Sequence, residues 1–146
     1  MRFVPFVLAL ALLGGATAAG AGASPASPAK AGSLCSVGKS VALTLQKTSK
    51  GFTPTAGSSP QAYGQQLKVY FTRIKSAESV VLSAASGSIK GHLQKVFAFY
   101  NTIIAKFQAA NWNILAFAKS AASLEAGEQK IKPDVTAINA YFKKCK

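Results

Sequence analysis

The chain has 146 residues, of which 17 are lysine or arginine, four aspartate or glutamate and one histidine, for a formal net charge of +13. Its length allows one hydrophobic core and not two. Two cysteines and a single histidine fall short of the four ligands of a closed tetrahedral metal site, so no metal and no cofactor is expected.

Met1 and Arg2 are followed by an apolar run from Phe3 to Leu13, then Gly14, Gly15 and a stretch of alanine, threonine and glycine. That is the layout of a signal peptide, expected over 1–23, with small residues allowing cleavage after Ala18 or Ala23. The run is too short to cross about 30 Å of hydrocarbon. Lipid anchoring through Cys35 does not fit either, because Leu34 and Gly32 stand where such a signal needs a small and a large apolar residue. Loss of Arg2 with the leader leaves 16 basic residues against four acidic ones, a net +12. Residues 24–33 are alanine, serine, proline and glycine with Lys30 the one charge, and are expected to form a flexible tether. Residues 34–146 are expected to be a single domain.

Leu34, Val37, Val41 and Leu45 share a face at 3.6 residues per turn, and Lys47, Lys50 and Gly51 suit the end of a first helix. The alternation Val41, Leu43, Leu45 also fits a strand, but no second strand candidate exists to pair with it. Gly51 to Ser59 reads as a loop. Ser59 and Pro60 open a second helix, the hydroxyl capping free amides and the proline having no amide to lose. Its stripe is Tyr63, Leu67, Tyr70, Phe71, Ile74 and Val81, and Ser86 and Gly87 end it. A third helix from about Ser88 carries Ile89, Leu93, Val96, Phe97, Tyr100, Ile103, Ile104 and Phe107, a face broad enough for two neighbours.

Asparagine tolerates the left-handed conformation that stops a helix, which places a turn at Asn111 to Asn113. Ile114 to Glu125 reads as a helix apolar nearly all round, ended by Gly127. Pro133 is expected to start the last helix, with Asp134 in its first turn, Val135, Ile138, Phe142 and Cys145 facing inward, and Lys143, Lys144 and Lys146 at its far end. The fold class is therefore all-α, an antiparallel bundle of four to five helices.

Cys35 and Cys145 admit one pairing, which closes the bundle end to end and suits an oxidising compartment. A redox dithiol normally has its cysteines close in sequence, and these are not. Glu78 projects toward the core side of the second helix, where His92 could neutralise it as a buried polar pair. With Ser76, Ser79 or Ser88 they would make a hydrolase. No Gly-x-Ser-x-Gly turn or oxyanion loop accompanies them, so no enzyme is expected. The lysines are dispersed through every element, and the candidate polyanion contacts are Lys130 with Lys132 and Lys143 with Lys144 and Lys146. Trp112, Leu115, Phe117 and Phe99 are candidates for an apolar pocket.

The leader, the early cysteine, the segment Ile89 to Tyr100 and the ending Ala-Tyr-Phe-Lys-Lys-Cys resemble a group of small secreted helical proteins of actinobacteria, over roughly the last two thirds of the chain. That resemblance implies an exported location and a disulfide, and carries no activity or site residue with it. The functional expectation is a secreted or cell-envelope, strongly basic, non-enzymatic interaction protein. Its partner would be an anionic polymer, a lipid headgroup or a protein, with no specific nucleic acid. The alternative is a carrier of a small apolar ligand or lipid between helices.

Overall fold

A computed structural model describes residues 33–50 and 59–145. The expected leader, the tether up to Gly32, residues 51–58 of the expected loop and Lys146 lie outside the described residues. Five helices follow in chain order: α1 Leu34–Lys50, α2 Pro60–Ala84, α3 Gly87–Ala109, the short α4 Ile114–Ala118, and α5 Ala121–Lys143. The fold is an all-α bundle closed by one disulfide, with no strand among the described residues. Neighbouring long helices run antiparallel. Residue 78 of α2 meets residue 101 of α3, residues 92 and 95 of α3 meet residue 134 of α5, and Cys145 returns beside the start of α1.

Local chemistry explains where the helices begin and end. Ser59 caps α2 through its hydroxyl, which accepts from the Ala62 amide at 3.2 Å, and Pro60 fills the first turn as expected. The end of α3 is a Schellman turn. The Trp112 amide donates to the Phe107 carbonyl at 2.8 Å and the Asn111 amide to Gln108 at 2.9 Å, with Asn111 left-handed at φ 49°. The apolar contact that accompanies such a turn is present, since the Phe107 and Trp112 rings stack at 5.7 Å and 9°. Trp112 is itself at φ 56°, a conformation a bulky residue adopts only where its surroundings hold it. Asn113 then caps α4, its Oδ1 accepting from Leu115 and Ala116 amides.

The end of the chain departs from the expectation. The helix foreseen over 114–125 is split: α4 ends at Ala118, and a separate, uninterrupted α5 begins at Ala121 and passes through both Gly127 and Pro133. Gly127 does not stop a helix. It admits Phe99 of α3, whose ring occupies the space a Cβ would need. Pro133 is exposed and sits inside α5. It removes one hydrogen bond, but the carbonyl it leaves without a partner belongs to Gln129, another exposed residue.

Leu34, Leu45, Leu67, Phe71, Ile74, Leu93, Phe97, Ile103, Phe107, Leu124 and Ile138 join one core fed by all the long helices. The Phe107 ring is its aromatic centre, packed on Phe71 of α2 at 5.5 Å and stacked on Phe117 of α4 at 3.5 Å. Cys35 and Cys145 are joined with Cα atoms 5.6 Å apart across 110 residues of sequence. Closing a loop of that size stabilises the fold by about 4 to 5 kcal/mol through the entropy of the unfolded chain. Beside it, Phe142 of α5 covers Gly38 of α1, where a side chain would meet the ring.

Candidate functional site

The buried polar centre of the bundle is at Asp134, and Glu78 and His92 do not form it together. Asp134 is 5% exposed. Its Oδ1 accepts from His92 Nδ1 at 2.7 Å and from Lys95 Nζ at 3.3 Å. Glu78 instead accepts from Asn101 Nδ2, at 3.3 Å and 3.1 Å to its two oxygens. Asn101 lies nine residues beyond His92 on α3, about 13 Å along the axis, so the expected Glu78–His92 pair is replaced by two separate pairs. The reason is the continuity of α5, which brings Asp134 to mid-helix instead of a first turn.

The hydrogen bond from His92 holds the Asp134 carboxyl below the usual carboxylate range, against the opposing effect of burial and with further help from the Lys95 ammonium. As a carboxylate it fixes the His92 proton on Nδ1 and leaves Nε2 on the side of a ring about a third exposed. Among the described residues no hydrogen bond joins His92 to a serine, and Ser76 donates to the Thr72 carbonyl at 3.0 Å.

The four residues expected to line an apolar pocket do not meet in one. Trp112 and Phe117 are buried in the stack on Phe107, Leu115 is 65% exposed on α4, and Phe99 lies on Gly127. The Schellman turn directs the indole of Trp112 onto the core, where it stacks on Phe107. A cleft of about 170 Å³ opens beside Phe99 and Tyr100, between them and Glu128, Ile131, Lys132 and Val135 of α5. It is smaller than sites that enclose small ligands, commonly about 300 Å³ or more. Burial first, then Tyr70 and the charge of Glu128, raise the Tyr100 phenol well above its ordinary value.

Lys130, Lys132, Lys143 and Lys144 are all exposed. Mid-helix and C-terminal members are separated by 11 to 14 residues of α5, about 16 to 21 Å, so they form two clusters and not one patch. Among the described residues no three histidine, cysteine or acidic side chains gather as metal ligands, and no helix is long and apolar enough to cross a membrane.

Aspartate 134 was missed as a site residue although the sequence carried a signal for it: it stands three residues after Ile131 and four before Ile138, on the inward stripe. A scan against protein-family models finds no match, and searches of curated proteins and of solved structures return no significantly similar protein.

Proposed function

We propose that this chain is an exported, non-enzymatic interaction protein that binds an anionic partner through its surface lysines. The observation that supports the reading is how the few acids are disposed. Two of the four are engaged within the bundle, Asp134 by His92 and Lys95 and Glu78 by Asn101. Glu128 is half-buried at the Phe99 cleft. Every lysine whose side chain is described is exposed except Lys106, which is half-buried. The outer surface is thus more cationic than the composition alone implies. Lysine is a mobile point charge suited to diffuse attraction of a polyanion.

Retention on immobilised heparin tests the reading. The disulfide-closed protein is expected to bind at low ionic strength and to elute steeply as salt screens the attraction. Replacing Lys130, Lys132, Lys143 and Lys144 by glutamine is expected to shift elution to lower salt by a modest amount, because the remaining cations are spread over every helix. Elution of the unmodified protein with neutral proteins in low salt would refute it.

A further inference from the structure

Cationic and exposed aliphatic side chains occur together on the outward faces of α1 and α2. The first acidic residue in the chain is Glu78, and its carboxylate is turned to Asn101 of α3. The outward faces of α1 and α2 therefore carry cations with no acid among them. On α1, Leu43 is 57% exposed and stands one turn from both Lys39 and Lys47. On α2, Val69 and Val80 are 52% and 51% exposed. They are eleven residues apart, three turns, and so share an azimuth. Exposed Arg73 lies one turn from Val69, between the two valines. The inward positions Leu67, Phe71, Ile74 and Val81 are all buried, so the valines point away from the core. A shallow groove of about 230 Å³ separates the two helices, with Ser40 and Thr44 on one wall and Arg73 and Ser76 on the other.

We propose that this α1–α2 face docks on an anionic phospholipid bilayer. The inference rests on the polyanion reading above and names its partner. Lysines alone would serve any polyanion, and it is the aliphatic side chains among them that select. A hydrated polysaccharide or nucleic acid gives Leu43, Val69 and Val80 nothing to bury against, whereas the headgroup boundary of a bilayer takes up apolar groups while cations sit on the phosphates. Arg73, the only arginine among the described residues, supplies the planar fork that pairs with a phosphate in a bidentate manner. None of Leu43, Lys47, Val69, Arg73 and Val80 belongs to the buried core, so these side chains can be changed without opening a cavity.

Co-sedimentation with equimolar phosphatidylcholine and phosphatidylglycerol vesicles, against pure phosphatidylcholine, tests the proposal. Binding is expected only to the anionic vesicles. Changing Leu43, Val69 and Val80 together to serine is expected to lower partition about tenfold and to leave heparin retention unchanged. Lys47→Gln with Arg73→Gln is expected to lower partition about fivefold for each cation removed. Lys130→Gln with Lys132→Gln on α5 is expected to change it less than either. Heparin retention without any vesicle binding would overturn the bilayer assignment and leave the polyanion reading standing. Failure to bind either probe would overturn both. Equal losses from the α5 and α1–α2 variants, or none from the aliphatic triple, would show that this face does not dock. Circular dichroism of each variant confirms that it is folded.

Discussion

The α3–α5 side and the α1–α2 side of the bundle are held by different means. Between α3 and α5 the contacts are specific and internal: Asp134 clamped by His92 and Lys95, and Phe99 set on Gly127. Helix α1 packs Val41 and Leu45 toward α2 but leaves a groove between them, and it is tied to α5 by the Cys35–Cys145 bond beside Gly38 and Phe142. One side is fixed by a buried polar clamp, the other by a covalent tie. The side that relies on the tie also carries three of the four exposed large aliphatic residues among those described, Leu43, Val69 and Val80, the fourth being Leu115 on α4. A disulfide holds a helix in place without asking its outer face to contribute, which leaves that face available for binding.

Removing the tie is expected to have the largest effect. The Cys35→Ser, Cys145→Ser double variant should lose about 4 to 5 kcal/mol of stability, measured by denaturant unfolding. Hydrogen exchange should speed first in α1, while α3 and α5 keep their protection. Equal loss of protection in α1 and α5 would abolish the distinction between the two sides. Next is Gly64→Ala. A Cβ on Gly64 would overlap the Trp112 carbonyl, and because that obstacle is backbone held by the Schellman turn, it cannot swing aside. A cost of about 2 to 3 kcal/mol is expected. Gly127→Ala meets only the half-buried Phe99 ring, which can tilt, and should cost nearer to 1 kcal/mol. A larger loss at Gly127 than at Gly64 would show that Phe99 is locked.

The clamp itself has a pH signature. The folded Asp134 carboxyl lies below its ordinary value, so its contribution is fully present above the unfolded value of about 4 and is lost as pH falls through the folded one. Asp134→Asn should cost about 1 to 3 kcal/mol near neutral pH. The difference between variant and parent should shrink in acid, and a constant difference down to strongly acidic pH would mean that packing and not charge is what asparagine disturbs. Asn101→Ala, which removes the partner of half-buried Glu78, should cost about 1 kcal/mol and act on the α2–α3 seam alone.

How far the sequence could be read follows from which signals are local. The Ser59–Pro60 start of α2, the broad apolar face of α3 and the turn at Asn111 are set by residues close in sequence, and each stands where its own chemistry puts it. The disulfide too could be anticipated, since two cysteines leave one pairing. Gly127 and Pro133 misled because each has two meanings. Glycine can end a helix or let another helix approach, and proline can begin one or be tolerated within it. Only the partner decides, and for Gly127 that partner is Phe99, 28 positions earlier in the chain. The phase of the stripe was the better guide: Leu124, Ile131, Val135, Ile138 and Phe142 stay in register across Pro133, as they would not if two helices met there. A helix start at Pro133 would put Asp134 at a surface terminus, whereas in the continuous α5 it stands mid-helix, where His92 reaches it. The inward seat of Trp112 is illegible for a similar reason, because the left-handed turn that redirects the indole is a property of the backbone and not of the apolar pattern.

The smallest expected effect bears most directly on what the α1–α2 face is for. Valine is a poorer helix former than alanine by roughly 0.5 kcal/mol, because its branched side chain loses rotamer freedom against the preceding turn. At Val69 and Val80, each about half exposed, little packing is available to offset that. Val69→Ala and Val80→Ala should therefore leave stability unchanged or raise it by a few tenths of a kcal/mol each, as read from the urea midpoint at constant m-value. The same substitutions should weaken partition onto anionic vesicles. A gain in stability joined to a loss of binding would mark these valines as residues whose worth lies outside the folded chain. A loss of 1 kcal/mol or more would instead show that they pack against the bundle and that the outer face of α2 belongs to its core.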